Sequence, residues 1–329
     1  MDTGTHFVIG LSLVGLSTID QTVFSNPELT KAVLFGVVIG SQAPDFDSLS
    51  RFFGGAKSYV RYHRGITHSI PALFIMPTII SFLLNLFFQT SFAHLWLWTF
   101  VAVFLHVFLD IFNSYGTQAL LPLSNKWISL DVINIFDPFI FVSHLLAIIL
   151  WSIGFPYPTM LFIVVFSFTI LYILLRTLIH WQKVSTLVNK HALQGNLKIV
   201  PTIGWSVWNV IAILPDEVNI GVLRGDILNW VDNKKKAADN QAIVATKKDP
   251  KIQALLYFSD YAFPESKKTS YGYEVRWIDL RYRLNNQYPF LAIALLDESY
   301  NIIDSYIGWI YNKNQINKKL HSMLKINKA

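Results

Sequence analysis

The chain has 329 residues, 53% of them hydrophobic and only 15% charged, with a mean hydropathy of +0.40 and no cysteine. That balance excludes an ordinary water-soluble protein, a disulfide scaffold and thiolate metal ligands, and it fits an integral membrane protein with a water-soluble part. The net charge of +6 is unevenly divided: residues 1–182 hold seven Lys and Arg against eight Asp and Glu, whereas residues 183–329 hold 20 against 13.

These contrasts predict an α-helical polytopic membrane domain over residues 1–182. A small, basic, cytoplasmic β-rich (α+β) domain should follow over residues 183–329. The basic excess suits the acidic headgroups of the inner leaflet. The start, Met1-Asp-Thr-Gly-Thr-His6, lacks the basic residues of a secretory signal and is expected to remain in the mature protein.

In chain order, the first two apolar runs, Phe7–Ile19 and Ala32–Ala43, have 13 and 12 residues. Both are shorter than the roughly 17–25 residues of a full span. They form either a tight antiparallel pair or a hairpin that enters and leaves on one side. Gly36 and Gly40, four apart, would let the second helix approach a neighbour closely. A polar loop follows, with Arg51, Lys57, Arg61 and Arg64. Four spans are predicted after it: Ile66–Phe88, Leu95–Phe112, Phe139–Ile153 and Thr159–Leu175. Gly154-Phe-Pro-Tyr-Pro158 marks the tight connection between the last two.

The distribution of Lys and Arg places the loops 44–64 and 113–136 and everything after residue 176 on the cytoplasmic side. The connections near 90 and 155 then lie outside. With this topology His6, Asp45, Asp47, His63, His68, His106, Asp110 and Asp137 all gather at the inner ends of their helices.

Beyond residue 197, strands are predicted over Leu197–Leu214, Val218–Leu223, Ile252–Phe263, Tyr271–Leu284 and Phe290–Leu296, with Arg224-Gly-Asp226 as a turn. The tail Asn312–Ala329 spaces Ile316, Leu320, Met323 and Leu324 as one face of a lysine-rich helix. Such a helix suits either a membrane surface or its own domain.

The chemistry centres on His63-Arg-Gly-Ile-Thr-His68-Ser69 and on His106-x-x-x-Asp110. On a helix His106 and Asp110 share a face, with Asn113 one turn further on. Imidazole and carboxylate are ligand types that divalent transition metals favour, and ionisable groups beside spans are costly and usually functional. The alternative for the pair is a histidine hydrogen-bonded to a carboxylate inside a bundle. His63 is expected in the loop and His68 in the first turn of the next helix. Arg64 would clamp an anionic substrate or act as a positive-inside anchor, while Thr67 and Ser69 read as caps or supporting donors. Asp45 and Asp47 are two apart, so one could ligate while the other orients a histidine, Asp45 being favoured as ligand. His6 joins by position. Asp137 and His144, seven apart, form a further polar pair, whereas His94, His180, His191 and His321 stand apart.

His6, Pro44-Asp45-x-Asp47, His63-Arg-Gly-Ile-Thr-His68-Ser69 and His106-x-x-x-Asp110 together resemble the membrane-bound metal-dependent hydrolases of the YdjM and YfhP type. These are also described as LexA-binding, inner-membrane-associated hydrolases. The resemblance implies an inner-membrane protein with hydrolase activity and names no substrate. A more distant likeness is to zinc-dependent phospholipase C, but the residue four after His144 is Ile148, which departs from that family's later HxxxE element.

The reading is therefore a hydrolase with one or two divalent ions, zinc first and manganese or iron as alternatives. The expected ligands are His6, Asp45, His63, His68, His106 and Asp110, with Arg64 and Asp47 beside the reaction. Expected partners are membrane lipids, an anionic phosphoester or lipid-like substrate, and a protein bound through the C-terminal domain; no nucleic-acid motif is present. The rival is a membrane-anchored regulatory or binding protein with a structural metal. A transporter is disfavoured because the candidates collect at one end of the helices and not at the midplane.

Overall fold

A computed structural model describes residues 1–49, 55–58, 60, 63–191, 196–236, 240–284 and 286–326. Arg51 and Arg61 of the expected cytoplasmic loop fall outside them, as do residues 327–329 of the tail. The chain divides into two compact units. The first comprises Met1–Asp47, Arg64–Val210 and Val222–Asn229; the second comprises Ser48–His63, Ile211–Gly221 and Trp230–Ala329.

In the first unit, α1 (Thr3–Leu16) starts where Asp2 accepts a hydrogen bond from Thr5 N. After the single turn α2 (Gln21–Phe24), α3 (Pro27–Gly40) starts at Asn26, with Pro27 at the first helical position. There proline's missing N–H costs nothing. A 3-10 turn over Ala43–Leu49 carries Asp45 and Asp47, and another over Ile66–His68 leads into α4 (Ile70–Phe88), capped by Ser69. Gln89, in the left-handed region at φ 49°, ends α4 and turns the chain back into α5 (Phe92–Ile111). Asp137 and Pro138 start α6 (Pro138–Ser152), and Gly154 at φ 88° links it to α7 (Pro158–His191).

Three helices among the described residues are long and apolar enough to cross a membrane: α4, α5 and Pro158–Asn189 of α7. The expected span over Phe139–Ile153 forms a helix of 15 residues, and that over Thr159–Leu175 continues well past its expected end. Helix α1 packs on α3, α6 and α7, while α3 packs on α4 and α5. Helix association in lipid depends on close approach, which small residues permit. Gly36 and Gly40 serve this use: a Cβ on Gly40 would lie 3.1 Å from Thr99 O and 3.3 Å from the Ala102 Cβ of α5. The antiparallel turn between α4 and α5 brings the start of one beside the end of the other. His68, two residues before α4, and Asp110, one before the end of α5, therefore lie at the same end of the bundle.

The β-rich part contains two four-stranded sheets. The first has the order β1 (Asn196–Pro201), β2 (Val207–Ile213), β3 (Glu217–Arg224), β4 (Ile227–Lys235). Gly225, at φ 59°, makes the β3–β4 turn in the Arg-Gly-Asp sequence. The second is antiparallel with the order β5 (Ala262–Thr269), β6 (Gly272–Asp279), β7 (Phe290–Leu296), β8 (Ile302–Trp309). Trp277 is registered between Pro264 and Ala292. Every residue of β7 is buried, and α9 (Pro250–Phe258) packs on β7 and β8.

The expected strand over Ile252–Phe263 is corrected to α9 followed by the start of β5. Asp249 accepts from Lys251 N and Ile252 N, and Pro250 stands at the first helical position, a start signal that outweighs the local β-branched content. Strands β4 and β8 and the short helix α8 (Gln241–Thr246) were not expected. Helix α10 (Lys313–Ile326) forms as predicted from its spacing, with Met323 buried and Lys319 lying 4.6 Å over the Tyr306 ring of β8. The helix packs on β8 of its own domain.

Candidate metal centre

Four side chains from three stretches of the first unit converge at that shared end. Asp45 comes from the turn after α3, His68 from the turn before α4, and His106 and Asp110 from the last two turns of α5. One ligand atom from each lies within 4.8 Å of all the others. His68 Nε2 is 3.3 Å from Asp110 Oδ2 and 3.9 Å from Asp45 Oδ1, and His106 Nε2 is 3.6 Å from each of these oxygens. His68 and Asp110 are fully buried and His106 nearly so, whereas the Asp45 side chain is 16% exposed and forms the open side.

The protonation pattern follows from the second nitrogen of each ring. His106 Nδ1 lies 2.7 Å from the Ser41 carbonyl oxygen, which can only accept, so Nδ1 carries the proton and Nε2 offers a lone pair. For His68, the Thr67 hydroxyl donates to Asp47 Oδ2 at 2.8 Å and lies 3.1 Å from Nδ1. With its one proton given to the carboxylate, that hydroxyl accepts from Nδ1–H, and His68 Nε2 also becomes an acceptor. Two imidazole lone pairs thus face two carboxylate oxygens.

Donors about 2.0–2.2 Å from a tetrahedral ion stand roughly 3.3–3.6 Å apart. Three of the separations, 3.3, 3.6 and 3.6 Å, fall in that range, and the one from His68 Nε2 to Asp45 Oδ1, 3.9 Å, is longer.

His6 stacks on His106 with ring centroids 3.6 Å apart, and its Nε2 is 3.3 Å from the other oxygen of Asp110, Oδ1. The Met1 amino group also contacts Asp110 Oδ1 and lies 3.0 Å from His6 Nε2. Burial first, and the Arg64 guanidinium second, hold the pKa of this amino group well below its ordinary value.

Arg64 and Asp47 occupy supporting positions. The Arg64 guanidinium is 97% buried; Nη2 is 3.1 Å from Asp110 Oδ2 and donates to Met1 O at 3.2 Å, while Nη1 donates to Asn113 Oδ1 at 3.1 Å. The expected clamp on a substrate anion is corrected accordingly: its fork is spent on Asp110 and Asn113. Asp47 Oδ2 accepts from Arg64 N at 2.7 Å as well as from Thr67, and so faces the loop. His63 is not one of the buried four; with Asp45 and Asp47 it makes a separate half-buried group whose ligand atoms lie within 4.8 Å of one another.

Asn113, expected on the face of His106 and Asp110, donates to Asp110 Oδ1 at 3.0 Å, whereas the Ser41 carbonyl was missed as a supporting group. The one-turn spacing from Asp110 signals the first; no side-chain pattern signals a backbone carbonyl. Asp137 and His144 separate: Asp137 caps α6 and accepts from Tyr172, and His144 Nε2 pairs with Thr169 Oγ1 at 3.0 Å. His94, at the opposite end of α5, pairs with Asp20 at 2.6 Å.

Residues 1–183 match the family described as YdjM inner membrane protein, and residues 241–320 match the YfhP C-terminal alpha/beta plait domain. The chain is 40% identical over 326 residues to "Uncharacterized protein YfhP" of Bacillus subtilis (strain 168), covering 97% of this chain and 98% of that one. It is 34% identical over 84 residues to "Inner membrane protein YbcI" of Escherichia coli (strain K12), which is 26% of this chain and 49% of that protein. No solved structure matches. With apolar helices of spanning length and a family match over more than half its residues, the chain belongs to the YdjM inner membrane protein family and ends in a YfhP-type plait domain.

Proposed function

We propose that this protein is a membrane-bound, metal-dependent hydrolase of phosphoesters, lipid-borne ones included, working at the cytoplasmic face. Asp45, His68, His106 and Asp110 would hold a divalent ion, zinc first, with manganese or iron as alternatives. One observation carries the reading: His106 Nε2, fixed as an acceptor by Ser41 O, faces Asp45 Oδ1 and Asp110 Oδ2 at 3.6 Å each. Acceptors packed against one another repel; Arg64 reaches only Asp110 Oδ2, and an ion among the four would offset the rest.

A bound ion would supply Lewis acidity, making a water more acidic and polarising a phosphoryl oxygen. The protein's own groups do the rest. Ser41 O and Thr67 orient the two imidazoles, and Arg64 and Asn113 hold the Asp110 carboxylate. Asp45, on the open side, borders the approach. His6, facing the second oxygen of Asp110, is the group for a second ion. A centre where α4 starts and α5 ends would lie at headgroup depth, which supports an amphipathic phosphoester as substrate.

The test is the metal content of the detergent-purified protein, with His106→Ala and Asp110→Asn beside it. Wild type should carry at least one zinc, manganese or iron per chain, and both variants should lose it while remaining folded. Phosphoester substrates would then be screened on the loaded protein. A wild type that carries no metal and takes up none on addition would end this reading. The plait domain, as part of a regulatory or binding protein, would then be the place to look.

A further inference from the structure

We propose that Asp47, without ligating the ion, governs ion binding through Thr67 by holding His68 in the tautomer that presents a bare Nε2 to the centre. The inference rests on the metal reading above and concerns how one of its ligands is set.

Asp47 Oδ2 lies 3.9 Å from His68 Nδ1, too far for a direct hydrogen bond, and Thr67 Oγ1 bridges the two at 2.8 and 3.1 Å. An ionised carboxylate only accepts, so the direction of the relay is fixed from its far end: Thr67 gives its proton to Asp47 and takes the one from His68 Nδ1. Asp47 is therefore a positioning residue, and its negative charge also makes the imidazole a more basic ligand. The same oxygen accepts from Arg64 N at 2.7 Å and helps to hold Arg64 at φ 61°, from where its guanidinium reaches Asp110 Oδ2 at 3.1 Å. One carboxylate oxygen thereby steers two ligands from opposite sides. His106 differs, because its Nδ1 is bound by the neutral Ser41 carbonyl.

In Asp47→Leu Thr67 loses its acceptor, so its proton is free to point at His68 Nδ1 and the histidine's own proton moves to Nε2, where it blocks the ion. Thr67→Val removes the link at nearly constant shape, whereas Thr67→Ser keeps the hydroxyl.

The experiment measures the dissociation constant of zinc and of cobalt by chelator competition on the purified full-length protein, together with the thermal stability of each metal-free variant. Thr67→Val and Asp47→Leu should each weaken binding about 10- to 100-fold. Thr67→Ser should stay within about threefold, and the double variant should bind no worse than the weaker single one, because both act on one chain of bonds. A Thr67→Val protein that binds like wild type overturns the inference, and so does a double variant whose losses multiply. If Thr67→Val fails to fold, Asp47→Leu and Thr67→Ser still decide it: equal affinity in Asp47→Leu and wild type refutes the relay. A wild type that binds neither metal removes the reading underneath, an outcome distinct from a wild type that binds and a relay variant that binds equally well.

Discussion

Arg64 spends its charge inside the protein, on the carboxylate that the proposed ion would also contact. Two cations would then share Asp110, and each makes the other less necessary. Breaking a buried ion pair by removing one partner costs about 3–5 kcal/mol, because a charge is left uncompensated. Arg64→Gln should cost that much in metal-free protein and clearly less when zinc is bound, since the ion offsets the lost guanidinium. Melting temperatures of wild type and Arg64→Gln with and without zinc decide this, and an equal loss in the two states would refute the sharing. The histidines and carboxylates of this centre were legible in the sequence because ionisable residues beside apolar runs stand out. The destination of Arg64 was not, since its left-handed backbone and its reach to Asn113 come from a fold that brings residues 49 positions apart together.

Helix α3 shows how an element carries the site. Its last residue, Gly40, lies against the backbone of Thr99, and Ser41 directly after it supplies the carbonyl that orients His106. A side chain at Gly40 must push α3 away from α5, and overpacking of this kind typically costs about 1–3 kcal/mol. Gly40→Leu should therefore lower thermal stability and also weaken zinc binding, because the Ser41–His106 bond opens when the helices separate. A variant that melts earlier yet binds zinc as wild type does would uncouple the two. The sequence shows the Gly36/Gly40 spacing but not its partner, which depends on how the helices are arranged. Strand and helix assignments beyond residue 197 were less legible for a related reason. Ile252, Leu255 and Leu256 suit a strand by composition, and only the Asp249-Pro250 start decides for a helix.

For the molecule as a whole, the order of an apolar helical region before one built of two sheets was readable from hydropathy and charge, because lipid and water sort side chains so strongly. The sides on which these parts lie follow from the same physics. If α1 with α3, α4 with α5, and α6 with α7 each return to the side they left, the metal centre and everything after α7 share one face. The basic excess after residue 183 supports the proposal that this face is the cytoplasmic one. The absence of cysteine allows a direct check, since an introduced thiol is the sole target for a label. Tyr157, 68% exposed in the α6–α7 connection, and Lys267, exposed in β5, are sites where a cysteine disturbs little. Tyr157→Cys should react with a membrane-impermeant maleimide in intact cells, and Lys267→Cys only after the membrane is opened. The reverse pattern would put the centre on the outer face, where substrates come from a different pool and the proposed cytoplasmic hydrolase has no access to its ester. Labelling of both positions in intact cells would instead mean that α6 and α7 do not form a spanning pair, and α6, at 15 residues, is the helix for which that outcome carries weight.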